Sequence, residues 1–78
     1  MKIYVKVVDR ENLILTVHVE PTDTVLELKK KISQVKRIPV NQQRLIYAGR
    51  CMLDGSLLQD YGIYKETKVY LLTKLRYA

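Results

Sequence analysis

The sequence predicts an α+β domain in which one sheet wraps over one helix. Two patterns carry this. Residues 1–7 and 13–19 alternate apolar and polar side chains with the period of a half-buried strand, and residues 44–48 and 67–73 are strand-like runs rich in apolar, β-branched and aromatic residues. Between the second and third of these runs the period changes, and Val25, Leu28, Ile32 and Val35 recur at the spacing of one helical stripe. The length sets the scale: 78 residues make one domain. Such a chain buries only about 60–65% of its unfolded surface, so the core must be small and regular.

In the first run Met1, Ile3, Val5 and Val7 face inward, and Lys2, Tyr4 and Lys6 face out. Val8-Asp9-Arg10-Glu11-Asn12 collects charged and turn-forming residues, and the chain reverses there. Residues 13–19 return as a second strand, with Leu13, Leu15, Val17 and Val19 inward and Ile14, Thr16 and His18 outward. The two strands read as a hairpin. Glu20-Pro21-Thr22-Asp23 ends it, because Pro21 lacks a ladder donor.

Thr24-Val25-Leu26-Glu27 is a capping box and opens the helix. Lys29, Lys30, Lys31 and Lys36 flank the apolar stripe, in the middle and late turns where the macrodipole favours positive charge. Pro39 biases Ile38 away from helical angles, so the helix ends near Lys36 or Arg37.

The third strand lies within Gln42-Gln43-Arg44-Leu45-Ile46-Tyr47-Ala48-Gly49. Over residues 44–48, Leu45 and Tyr47 share one face, and Arg44, Ile46 and Ala48 the other. After the turn at Ala48-Gly49, Arg50-Cys51-Met52-Leu53 forms a short fourth strand, ended by Asp54-Gly55. Residues 56–63 hold one helical turn and a bend that needs Gly62. In the last strand Val69 and Leu71 point inward, and Lys68, Tyr70 and Leu72 outward.

Much chemistry is excluded by composition. With one cysteine there is no internal disulfide framework and no Cys-rich metal site, which fits a reducing compartment. No apolar run approaches the ~18 residues of a membrane helix, and the N-terminus alternates where a signal peptide would be continuously apolar. No glycine-rich phosphate loop, metal-spaced His/Cys set or nucleophile elbow is present. Cys51 and His18 fall on different strands with no acid beside them, so Cys51 is read as a bystander thiol. The chain is expected to be neither an enzyme nor a cofactor binder. Its formal charge of +6 suits an acidic partner, nucleic acid or a solvated surface. Lys29, Lys30, Lys31, Lys36 and Arg37 offer a basic face, but no aromatic stacking platform accompanies them.

The remaining signal is Ile46, an isoleucine on the same strand face as Arg44. A lone exposed apolar residue is ordinary. If the third and fifth strands are neighbours, however, Ile46, Tyr70 and Leu72 form one patch opposite the helix. Lys6, Arg44, Arg50, Lys68 and Lys74 would rim it. An apolar centre within a charged rim is the anatomy of a protein-binding surface.

These residues resemble the ubiquitin family along the whole chain. The resemblance is carried by Val19-Glu20-Pro21-Thr22-Asp23-Thr24, by Ile38-Pro39 and by the run Gln42 to Gly49. Leu53-Asp54-Gly55, Asp60-Tyr61 and Leu75-Arg76 follow in register. It implies the β-grasp fold, a five-stranded mixed sheet packed on one α-helix, with a ubiquitin-like domain over residues 1–76 and a tail at 77–78. It implies a recognition patch of Ile46, Leu72, Tyr70 and Gly49, with Val8 as a further apolar member. Tyr70 stands where ubiquitin has a histidine, which enlarges the patch and removes a group that titrates in mild acid. The loop from Val8 to Asn12 is longer than the family's.

The resemblance also implies that Lys29 pairs with Asp54 and that Gly62 takes left-handed angles. Arg37 replaces a glycine expected there at positive φ, at a cost of about 1 kcal/mol. Tyr61 reads as a buried tyrosine whose hydroxyl ties down the preceding loop. Tyr77-Ala78 occupy the Gly-Gly of conjugable members, and Arg50 replaces the chain-building lysine beside the patch. The expected role is a monomeric, non-conjugated interaction domain of a larger protein, in the cytoplasm or nucleus, docking ubiquitin-binding domains or proteasome receptor subunits. The alternatives are a modifier conjugated after C-terminal processing and a basic nucleic-acid-binding domain.

Overall fold

The structure, a computed structural model of the chain, describes residues 1–8 and 13–73. Its strands are β1 (Lys2–Val7), β2 (Leu13–His18), β3 (Gln43–Tyr47), β4 (Arg50–Cys51) and β5 (Lys68–Thr73), and its helix is α1 (Val25–Lys36). Short 3-10 turns cover Val40–Gln42 and Leu58–Tyr61. The sheet runs β2-β1-β5-β3-β4. β1 and β5 pair in parallel, and the other three pairs are antiparallel. This is the mixed five-stranded sheet of the β-grasp.

Strand alternation sorts the side chains as the period dictates. Ile3, Val5, Val7, Leu15, Val17, Leu45, Val69 and Leu71 are buried on one face, in a single cluster with Val25, Leu28 and Ile32 of α1. Val19, Ile38, Met52, Leu58 and Ile63 close the rim of that cluster from the connecting segments.

The ends of α1 follow local chemistry. The Glu27 amide donates to Thr24 Oγ1 at 3.1 Å, and the Thr24 amide donates to Glu27 Oε1 at 2.8 Å, so both halves of the capping box form. At the other end Arg37 takes φ 57, and its N–H donates to the Ser33 carbonyl. A β-carbon at a left-handed C-cap is strained, as the replaced glycine implied.

Three sequence expectations are corrected. Val35 is 61% exposed, while Lys29 is buried. The buried arc of α1 takes in Lys29 at one edge and ends at Leu28 on the other, leaving Val35 beyond it in the last turn. β3 begins at Gln43 and stops at Tyr47, because Ala48 and Gly49 both take positive φ, 54 and 76. That pair is the left-handed two-residue turn that suits a tight hairpin. β4 is only Arg50–Cys51. The Met52 amide still reaches the Leu45 carbonyl at 2.8 Å, but the Leu53 amide donates instead to the Tyr61 hydroxyl at 2.8 Å. That tie to the loop ends the ladder and is the anchoring role expected of Tyr61, although the residue is half-buried where the sequence reading expected it buried. The bend at Gly62 forms with φ 74. The loop at 9–12, Lys74 and the expected tail at 77–78 lie outside the described residues.

Candidate functional site

β3 and β5 are neighbours, the condition on which the patch depended. Their register sets Ile46 opposite Tyr70 and Arg44 opposite Leu72. Leu45 pairs with Leu71 on the buried face, so the even-numbered residues of both strands share the face that α1 leaves uncovered. Ile46 and Leu72 are half-buried and Tyr70 is 41% exposed. Leu72 is one diagonal step from Ile46, within reach of a common contact.

The other expected members divide. Lys6 is in register with Tyr70 and half-buried on the same face. Val8 is exposed, and its amide donates to the Leu71 carbonyl at 2.9 Å, which brings it level with Leu72 just past the end of β1. Gly49 sits exposed in the β3–β4 turn, with open space where a β-carbon would stand. Arg44 and Lys68 are exposed at the expected rim.

Arg50 is out of phase with that rim. It pairs with Tyr47, whose side chain packs toward the core, and its guanidinium lies 5.4 Å from the centre of the Tyr61 ring. The residue that pairs with Ile46 across the edge is Cys51, an exposed free thiol. The two-residue turn at Ala48-Gly49 sets this register, and in a paired strand the register decides which of two successive side chains shares the face of Ile46.

The basic face of α1 is partly consumed by internal bonds. Lys29 Nζ lies 2.6 Å from Asp54 Oδ1, with the lysine side chain only 11% exposed, which is the pairing the resemblance implied. Lys31 Nζ donates to the His18 carbonyl at 2.8 Å and to Asp23 Oδ2 at 3.3 Å. Lys30, Lys36 and Arg37 remain exposed.

Gln43 was not singled out by the sequence reading. Its side chain is buried, and Nε2 donates to the Lys29 carbonyl at 3.0 Å and the Ile38 carbonyl at 2.9 Å. It ties the middle of α1 and the segment just after the helix to the strand that carries Ile46. The sequence signal was its phase, two residues before Leu45 on the inward face. Among the described residues no cluster of three His, Cys, Asp or Glu stands close enough to hold a metal ion, and no helix is long and apolar enough to cross a membrane.

Comparison with known proteins agrees with this architecture. The sequence matches the ubiquitin family over residues 3–76. Ubiquitin-like protein 4A of Homo sapiens and that of Callithrix jacchus are each 36% identical over 59 residues, a stretch covering 76% of this chain and 38% of the relative. The Oryctolagus cuniculus protein of the same name is 38% identical over 52 residues, covering 67% of this chain and 33% of the relative. The chain therefore spans well under half the length of these curated relatives.

Proposed function

The chain belongs to the ubiquitin family, and from that premise we propose that it docks ubiquitin-binding domains or proteasome receptor subunits through Ile46, Tyr70 and Leu72. The observation that supports this most is the register of β3 with β5. It brings two aliphatic side chains and a tyrosine together on the uncovered face, each partly open to solvent. Docking is the burial of this patch, with Lys6, Arg44 and Lys68 at its edge speeding encounter with acidic partners. A family member with this role works as a recruiting domain in the cytoplasm or nucleus, bringing whatever it is joined to toward the ubiquitin–proteasome machinery.

The test is a calorimetric titration of the chain with a ubiquitin-binding helix. Ile46→Ala is expected to weaken binding by about 1–2 kcal/mol, with an unchanged circular dichroism spectrum. Full affinity in a well-folded Ile46→Ala, Leu72→Ala double variant would assign binding to another face.

A further inference from the structure

The register of the sheet lines up one row that crosses every strand on the uncovered face. It runs Ile14 on β2, Lys6 on β1, Tyr70 on β5, Ile46 on β3 and Cys51 on β4. The patch proposed above uses only the β5–β3 half. The other half ends on Ile14, which is 50% exposed on the edge strand. Half-buried Lys6 stands between Ile14 and Tyr70. Its four-carbon stem can bridge the two apolar groups while the ammonium stays in water.

Charge flanks this row on both long sides. Lys68 lies in the adjacent line with Tyr4, and Arg44 lies in the opposite adjacent line with Leu72. Among the described strand residues phased to this face, the charged ones are Lys2, Lys6, Arg44 and Lys68, and none is acidic. A second copy of the chain would bring like charge against like. The complement is an apolar stripe with carboxylates along both borders, which is what one face of an acidic amphipathic helix presents.

The dimensions decide its length. Three inter-strand steps of ~4.8 Å separate Ile14 from Ile46, a span of ~14 Å. A helix rising ~1.5 Å per residue covers that in about ten residues. We propose that this face takes an acidic amphipathic helix of about three turns, lying across the strands from β3 to the β2 edge, with Ile14 as its far anchor. The proposal rests on the reading of this face as a docking surface and adds to it a second anchor, an orientation and a minimum length.

Two synthetic glutamate-flanked helical peptides of equal net charge provide the probe. The long one carries apolar residues at i, i+4, i+7 and i+11; the short one keeps only the first two. Calorimetry is run on the chain and on Ile14→Thr, Ile14→Glu and Ile46→Ala, with thermal melts confirming each fold. Threonine suits an outward strand position, so Ile14→Thr is expected to fold. It should weaken the long peptide about five- to tenfold and the short one less than about twofold, with Ile14→Glu losing more of the long peptide. Ile46→Ala should weaken both. If Ile14→Thr and Ile14→Glu leave the long peptide unchanged while Ile46→Ala weakens both, the extended site is wrong and the docking face stands. If Ile46→Ala changes neither, both readings fail. An Ile14-dependent dimer by sedimentation, or displacement of the long peptide by duplex DNA, would overturn the proposed occupant.

Discussion

Arg37 holds φ 57 with a side chain that gains nothing from it among the described contacts, since its bond to Ser33 is made by the backbone N–H. Arg37→Gly should therefore stabilise the fold by about 0.5–1 kcal/mol, read as a higher urea midpoint at unchanged m-value. Gln43 is the opposite case. Its one amide nitrogen serves two carbonyls, on α1 and just beyond it, at a fully enclosed position. Gln43→Ala should lose about 2–3 kcal/mol in the same assay, because two buried acceptors lose their donor and a cavity opens. The sequence made Arg37 legible through the glycine it replaces. Gln43 was not legible, because its value depends on which carbonyls of α1 and of the segment after it come to face its side chain.

At the scale of elements, α1 and the loop after β4 are each fixed by one identifiable bond. Thr24→Ala removes the capping oxygen and should cost about 1 kcal/mol, seen as a lower melting temperature. Tyr61→Phe keeps the ring packed and leaves the Leu53 amide without its acceptor, and about 1 kcal/mol is expected to go with it. Faster hydrogen exchange at the Leu53 amide would mark the lesion. These elements also show where the period of a sequence stops being informative. Alternation identified β1 and β2, composition identified β3 and β5, and the two-residue period gave the buried face of each, since each is long enough to repeat. β4 spans two residues, too few for a pattern, so Arg50 was assigned to the face that Cys51 occupies. Val35 fitted the helical stripe, yet burial depends on what lies beneath, and in the last turn the described residues leave it 61% exposed. The patch itself needed the adjacency of β3 and β5, which follows from strand order and not from either strand alone.

For the whole molecule, the net charge of +6 and the basic side chains among the described strand residues of the uncovered face act together on encounter. Association with an acidic helical peptide should slow severalfold between about 50 and 300 mM salt, while dissociation changes little, in a stopped-flow measurement. A dissociation rate that carried most of the salt effect would place the charges inside the contact instead of around it.

The position of β5 has its own consequence. The last strand among the described residues sits between β1 and β3, joined to one in parallel and to the other antiparallel. During synthesis the first hairpin, the helix and the β3–β4 ribbon emerge as separate pieces with no shared sheet until residues 68–73 clear the ribosome. Closure of the sheet therefore waits for β5, and a chain cut before Lys68 should be digested far faster than residues 1–78 in a limited-proteolysis time course.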